Sequence, residues 1–245
     1  MRKDSTTKKE SGSPAKHSTT FLILAMIMTT VTLISNITAN RTFDTGLWGL
    51  VLTSDTILFS ISYIISDIIS EVYGYKRMRI CLWMTLGLNL GMMLFFQLVN
   101  ALPVPDGMDY SAYDIVLGST TRIIIASTLA YFAGNFSDSI TISVLKKLCK
   151  GKFLWVRTIG SSMIGQLFDS AVFSIVAFAG VLEWGEIFGM IGLAWTVKII
   201  YEAAMTPVTY KVIGWCKKKE GIDTYDYGVN YNPFSGLFAH FKKKS

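Results

Sequence analysis

The sequence predicts an all-α, polytopic integral membrane protein with six transmembrane helices, and three observations carry that expectation. Apolar residues make up 51% of the 245-residue chain, mean hydropathy is +0.43, and 16% of residues are charged, against about 25% in ordinary soluble domains. The apolar residues gather into six stretches, each reaching the roughly 20 residues that cross a bilayer. The remaining charge concentrates in the first 20 residues, in the loops and beyond residue 210.

Residues 1–20, MRKDSTTKKESGSPAKHSTT, are polar and basic and read as a disordered cytoplasmic tail. A signal peptide would put its apolar core straight after a short basic region, and the run that follows here lacks a small-residue cleavage site. Residues 21–40 are therefore expected to be a retained first helix. The second stretch, 47–72, ends in IISDIISEVYG. The third, 80–101, contains Gly87 and Gly91 in a GxxxG pattern. Segment 101–114, ALPVPDGMDYSAYD, holds two of the five prolines and reads as an extracytoplasmic loop. The fourth stretch, 115–143, and the sixth, 187–215, exceed one bilayer thickness and are expected to tilt, kink or run into water. Pro207 would kink the sixth. The fifth, 158–181, follows a basic loop, KKLCKGKFLWVR. Gly185 and Gly189 form another GxxxG. Such patterns allow close helix approach, within one subunit or between two in a homodimer. Residues 21–216 are thus read as one six-helix transport domain and 217–245 as a cytoplasmic tail. In that tail Asn232-Pro233 is a helix-start signal, with Phe234, Leu237, Phe238 and Phe241 spaced on one face. The tail end is read either as a short helix lying on anionic lipid or as a frayed end.

Orientation follows from the cations. The first 20 residues carry five Lys or Arg, segment 74–79 three, segment 146–157 five and the end from Lys211 seven; Arg41, Arg122 and Lys198 complete the 23. The opposite connections hold Asp44, Asp106, Asp109, Glu183 and Glu186. The positive-inside rule then places both termini in the cytoplasm of a multi-pass protein in the cell membrane. A net charge of +6 distributed this way reads as membrane flanks, with no nucleic-acid partner. Trp48, Trp155, Trp184 and Trp215 fall near the expected interfaces. Cys81, Cys149 and Cys216 sit at cytoplasmic ends without metal or redox spacing and are expected to be reduced thiols.

Charged groups at the bilayer centre cost about 2.5–3.5 kcal/mol each on insertion scales, so they usually line an interior path or site. Asp67 and Glu71 lie one turn apart. Glu71 is read either as a cytoplasmic gate or ligand, or as an anchor for Arg77 or Arg79; Asp67, a turn deeper, has an interior role. Arg122 lies 13 to 16 residues from Asn135 and Asp138, about 20–24 Å along a helix axis, so these cannot share one small ligand. Arg122 attracts a substrate or makes a structural ion pair. Gln166 and Asp169 come at mid-membrane with Arg157 nearer the cytoplasm. Lys198 and Glu202 are spaced to neutralise one another, although a self-satisfied pair gains little over apolar residues, which leaves a ligand or proton path to justify it. Asn135-Phe-Ser-Asp138 and Gln166-Leu-Phe-Asp169 echo each other, each with an amide and a carboxylate on one face. No nucleotide loop, HExxH or GxSxG occurs, and His17 and His240 lie in tails, so no cofactor, metal site or enzymatic activity is expected. The remaining catalytic alternative is an intramembrane aspartyl enzyme using Asp67 and Asp169.

FSISYIISDIISEVYGYKRMR, RIIIASTLAYFAGNFSDSITISVLKK, WVRTIGSSMIGQLFDSAVFSIVAFAG and VKIIYEAAMTPVTYKVIGWCKKKEGIDTYD, followed by NYNPF, resemble in order the signature segments of the queuosine precursor transporter family, also called vitamin uptake transporters. The resemblance runs from about residue 47 to 234. It implies six helices and uptake of 7-deazaguanine bases for salvage into tRNA queuosine. It also implies a fold similar to the substrate-binding components of energy-coupling-factor vitamin transporters. Asp67, Glu71, Gly74, Arg122, Ser127, Asp138, Arg157, Ser161, Gln166, Asp169, Lys198 and Pro207 match family positions. Ser60 stands where members commonly have Pro, and Asn135 where they often have Gln or Glu, which puts a ligand role for Asn135 in doubt. The resemblance implies import of a purine-like base by alternating access. The alternatives are a substrate-binding subunit that needs a separate ATP-driven module and a non-transporting membrane scaffold.

Overall fold

In hydrocarbon every backbone polar group must be satisfied within the chain, so apolar stretches of this length fold as helices. The computed structural model describes residues 18–39, 41–44, 51–117 and 121–235. They form helices α1 (Thr19–Thr38), α2 (Asp55–Tyr73), α3 (Tyr75–Asn100), α4 (Ser111–Leu117), α5 (Thr121–Leu148), α6 (Leu154–Phe178) and α7 (Trp184–Glu220). A short antiparallel ribbon, β1 (Thr42–Asp44) and β2 (Val51–Thr53), joins α1 to α2. The basic N-terminal tail up to residue 17, Trp48 and the interfacial helix expected beyond residue 235 lie outside the described residues.

Four helices, α1, α3, α6 and α7, are long and apolar enough to cross a membrane. α2 and α5 are also long, at 19 and 28 residues. α2 lies inside the bundle. It packs against α1, α3, α5 and α7, and every residue from 62 to 75 is buried. Ser62, Ser66 and Ser70 lie in this interior stretch of α2, where lipid contact does not set composition. Lipid-type exposure belongs instead to α1 and α3, where Leu22, Met26, Met84, Leu88, Phe95 and Leu98 are all more than half exposed.

Several boundaries differ from the sequence-based expectation. The second stretch does not begin as helix near residue 47, since β2 occupies 51–53 and α2 starts at Asp55. The fourth divides into α4 and α5, and α5 runs on to Leu148 because Lys146 and Lys147 complement the negative end of its dipole. α7 extends through Pro207 to Glu220, with Lys217, Lys218 and Lys219 in its last turn and Gly221 as its left-handed cap.

The GxxxG glycines do not serve packing within the bundle. A Cβ added at Gly87, Gly91, Gly185 or Gly189 meets nothing within 4 Å. The close approach is made by a pair that belongs to no GxxxG: Gly134 on α5 and Gly165 on α6. A Cβ at Gly165 would lie 2.6 Å from Asp138 Cβ and 2.9 Å from the Gly134 carbonyl; one at Gly134 would lie 2.7 Å from Asp169 Cβ and 3.0 Å from the Gly165 carbonyl. Each glycine thus makes room for the aspartate of the other helix.

The segment after α7 is no free aqueous extension. Asp226 accepts from the Tyr75 backbone N–H at 2.9 Å and from Ser143 Oγ at 2.5 Å. Arg79 donates to the carbonyls of Asn230 and Asn232 and to Ser235 Oγ, and Trp83 Nε1 donates to the Pro233 carbonyl at 2.9 Å. Asn232, expected to start a helix, caps an Asx turn by accepting from Phe234 N–H. Residues 221–235 therefore form a strap across the α2–α3 joint. At that joint Gly74 has φ +84°, and a Cβ there would come 2.8 Å from Asp226 Oδ1.

Replacing Gly165 with Val should cost about 1–3 kcal/mol by overpacking, because both contacts are with backbone or Cβ atoms that cannot swing away. Thermal unfolding in detergent checks this, with Gly87→Ala expected to leave the midpoint unchanged.

Candidate functional site

The interior polar residues come from α2, α5, α6 and α7. Asp67, Glu71, Asn135, Asp138, Arg157, Gln166 and Glu202 are buried to 2% exposure or less, and Asp169 to 6%. The structure therefore turns eight of the ten residues singled out by sequence into the interior, with Lys198 beside them. Arg122 lies apart: its Nε donates to the Val176 carbonyl at 2.7 Å and its Nη2 to the Ala179 carbonyl at 2.5 Å. It holds the N-terminal end of α5 to the C-terminus of α6, where unpaired carbonyls attract a cation.

Three groupings emerge along the interior. The first is an ion pair. Lys198 Nζ reaches Asp169 Oδ2 at 2.8 Å and sits 5.2 Å from the Phe59 ring centroid. The i,i+4 neutralisation of Lys198 by Glu202 is not made, because α7 directs the lysine toward α6. Glu202 keeps both carboxyl oxygens without a hydrogen-bond partner, and Gln166 keeps both amide atoms free as well.

The second grouping is a carboxyl pair. Ser161 Oγ donates to Asp67 Oδ1 at 3.2 Å and Ser66 Oγ to Asp138 Oδ2 at 3.3 Å. Tyr63, one turn before Asp67, is wholly buried with its hydroxyl unpartnered, and that hydroxyl lies where a Gly134 Cβ would be. Asn135 is buried too, but its Nδ2 donates to the Tyr131 carbonyl of its own helix.

The third grouping closes the end of the bundle beside the strap. Glu71 Oε1 meets Lys217 Nζ at 2.6 Å, Arg157 Nη2 at 3.1 Å and Lys146 Nζ at 3.4 Å. Asp223 of the strap takes the same two lysines, Lys146 at 2.5 Å and Lys217 at 2.9 Å. Glu71 is thus an anchor, but not for Arg77 or Arg79. Arg77 stacks on Phe21 and Tyr73, and Arg79 holds the strap. Burial pushes the Asp223 carboxyl up, while hydrogen bonds and charge from Lys146 and Lys217 outweigh this and hold it below its ordinary value.

Sequence reasoning missed Tyr63, Ser66, Lys146, Lys217, Asp223 and Asp226. A signal for part of this was present. The echo extends back one residue, to Gly134-Asn135-x-x-Asp138 and Gly165-Gln166-x-x-Asp169, and the glycines are what seat one copy against the other. A small cleft lies elsewhere, between α1, α3, α4 and α5, lined by Asn36, Met93, Phe96, Gln97 and Ile124. It contains no charged side chain, and the interior carboxylates have a stronger chemical claim. Cys81, Cys149 and Cys216 are free thiols.

Two outcomes follow. Glu71→Gln leaves Arg157 and Lys146 buried without their counter-charge and should cost about 3–5 kcal/mol, read as a lowered unfolding midpoint in detergent. Because the Asp223 carboxyl is depressed, its contribution to holding the strap is complete above its unfolded value of about 3.9 and lost as pH falls through the folded value. Hydrogen–deuterium exchange of residues 222–230 should accelerate on acidification in the wild type, and be fast at every pH in Asp223→Asn.

Over residues 53–212 the chain matches the model of a family described as "Putative vitamin uptake transporter". It is 27% identical over 164 residues to a Bacillus subtilis (strain 168) protein described as "Probable queuosine precursor transporter", covering 64% of this chain and 70% of that protein. No solved structure matches it. The matched region runs from the start of α2 into α7 and takes in the first two groupings and Glu71, Lys146 and Arg157 of the third, while Lys217 and Asp223 lie beyond it. This helical membrane protein belongs to the vitamin uptake transporter family, and its work is transport of a small molecule.

Proposed function

We propose that the protein imports 7-deazaguanine bases, precursors of the tRNA nucleoside queuosine, across the cytoplasmic membrane. In this reading all six long helices cross the bilayer, α2 and α5 shielded by the others. Both termini are cytoplasmic, because Lys76, Arg77, Arg79, Lys146, Lys147 and Lys217 gather where α2, α5 and α7 approach the strap.

The observation that carries the proposal is the set of unpartnered atoms on Gln166 and Glu202, wholly buried next to the Lys198–Asp169 pair. Leaving a buried polar group unpaired costs about 1–3 kcal/mol, more when it is charged, and four such atoms are what a ligand would complete. A 7-deazaguanine presents two adjacent N–H donors, which suit the two oxygens of one carboxylate. Its oxo group accepts from an amide or ammonium, and its flat ring suits an aromatic face such as Phe59. The description of the Bacillus subtilis relative names the same substrate class. Asp67, Asn135 and Asp138 lie further along the route. Glu71 and Arg157, tied to Lys146, Lys217 and Asp223, form the inner gate, which alternating access opens once the base is bound. A likeness to the substrate-binding components of energy-coupling-factor transporters belongs to the same proposal, with the difference that this chain would act alone.

Purified protein in liposomes should take up labelled 7-deazaguanine saturably. Glu202→Gln and Gln166→Ala should each weaken binding by roughly 10- to 150-fold, the equivalent of about 1.5–3 kcal/mol for a hydrogen bond to a charged group, measured by calorimetry in detergent. Binding without uptake favours a subunit awaiting an ATP-driven module. Absence of both favours a scaffold.

A further inference from the structure

The two halves of the α5–α6 crossing are built alike but hold different electrostatic states. Asp169 has a cation, Lys198, at 2.8 Å. Asp138, its counterpart on α5, has another acid. Asp138 and Asp67 are wholly buried, and each takes one serine hydroxyl on one oxygen. The other oxygen of each, Asp67 Oδ2 and Asp138 Oδ1, is buried without a hydrogen-bond partner. Two ionised carboxylates in such a site would be desolvated with no cation or further donor to compensate them, whereas a proton on one of them supplies a donor. None of the ion pairs formed among the described residues includes Asp67, Asp138 or Glu202.

A wholly buried, unpartnered hydroxyl points into the same place. Tyr63 Oη sits at the Gly134 surface beside Asp169 Cβ. The titratable groups around the pair are Tyr63 and Glu71 on α2, Tyr131 on α5, Arg157 and Asp169 on α6, and Lys198 and Glu202 on α7. Arg157 is committed to Glu71 and Lys198 to Asp169. α1 has no ionisable side chain, and those of α3 (Tyr75, Lys76, Arg77, Arg79, Cys81) all lie in its first two turns, at the strap end.

A hydroxyl ladder leads from the pair toward that end. Ser66 and Ser139 are 3.4 Å apart; one turn on, Ser70 is buried with its hydroxyl unpartnered, and Ser143 donates to Asp226 of the strap at 2.5 Å. α2 and α5 run parallel, so Ser66 with Ser139 and Ser70 with Ser143 form successive rungs. A hard metal cation would need several oxygens around an open centre, and no cluster of three or more His, Cys, Asp or Glu able to hold one occurs among the described residues.

We infer that the Asp67–Asp138 pair binds the proton that drives import: a proton taken from outside forms the carboxyl O–H, crosses with the base, and leaves through the serine ladder to Asp226 and the cytoplasm. Loss of that proton would leave two adjoining carboxylates in a desolvated site, which favours reloading. The inference rests on the transport reading above.

Proteoliposomes of the full chain, loaded with pyranine, are given labelled 7-deazaguanine with and without a pH gradient, acid outside. One unit of gradient supplies up to about tenfold accumulation for one proton per neutral base. We expect that accumulation, its collapse by a protonophore, and acidification of the lumen on adding the base. Asp138→Asn and Asp67→Asn should abolish the gradient-driven part, and Ser143→Ala should slow it. Saturable uptake in the wild type that ignores the pH gradient, or that follows a sodium gradient instead, overturns the proton inference and leaves the transport reading standing. Absence of saturable uptake and of binding overturns both.

Discussion

The polar interior depends on one steric constraint, the bare backbone contact of α5 and α6 at Gly134 and Gly165. With no Cβ on either side, the helices come close enough for each glycine to seat the aspartate that the other helix carries four residues after its own glycine. The carboxylates are thus held at fixed positions in the buried interior. A slightly wider crossing would let them relax toward any nearby donor. At this one Asp138 is left to Asp67, and Asp169 to Lys198. Small residues at a helix crossing are usually explained by association energy; here their larger consequence is electrostatic.

The strap end of the bundle is held by a different device. A single oxygen, Glu71 Oε1, collects cations from α5, α6 and α7, and Asp223 of the strap binds two of the same lysines. Three positive charges against two negative leave the knot short of neutrality, and Arg157 retains Nε and Nη1 without partners. A bundle end of this kind is closed by charge rather than by apolar packing. An anionic or strongly polar group arriving from the interior competes directly for those cations, so the knot can loosen when such a group reaches it. Apolar closure would not respond in that way.

Hydropathy made α1, α3, α6 and α7 legible because it reports contact with lipid, and these helices have it. The same apolar signal marked the stretches that became α2 and α5, and the charged residues inside them pointed to helices that face other helices. Which residues face inward was also legible, since an ionisable group in such a stretch has few other places to go. The pairings were not. Spacing suggested Lys198 with Glu202 and Glu71 with Arg77 or Arg79, but a partner is chosen by the rotation of each helix about its axis and by what the next helix presents. Neither is encoded in an i,i+4 interval. Arg122 illustrates the same limit, since nothing local announces that the carbonyls of Val176 and Ala179 end within its reach. The strap was illegible for another reason. Its residues are polar and lack periodicity, and only the joint at Gly74, with its positive φ and its crowding by Thr224 and Asp226, shows that they have a docking place.

The local symmetry of the α5–α6 crossing also explains how one motif can serve two tasks. Gly-amide-x-x-Asp occurs on both helices, so the backbone offers two equivalent carboxylate seats. Whatever separates their chemistry must come from the helices packed outside them. α7 brings Lys198 to one seat and α2 brings Asp67 to the other. A carboxylate beside an ammonium is held charged and oriented, suited to recognising a polar ligand. A carboxyl beside a carboxyl must hold a proton to persist, and it gives the proton up when its surroundings open to water. The two seats lie about one turn apart on either side of a single glycine contact, so a change in the α5–α6 crossing that opens one seat also disturbs the other. Coupling between what binds at Asp169 and the charge state at Asp138 then follows from the packing itself, without a separate relay between them.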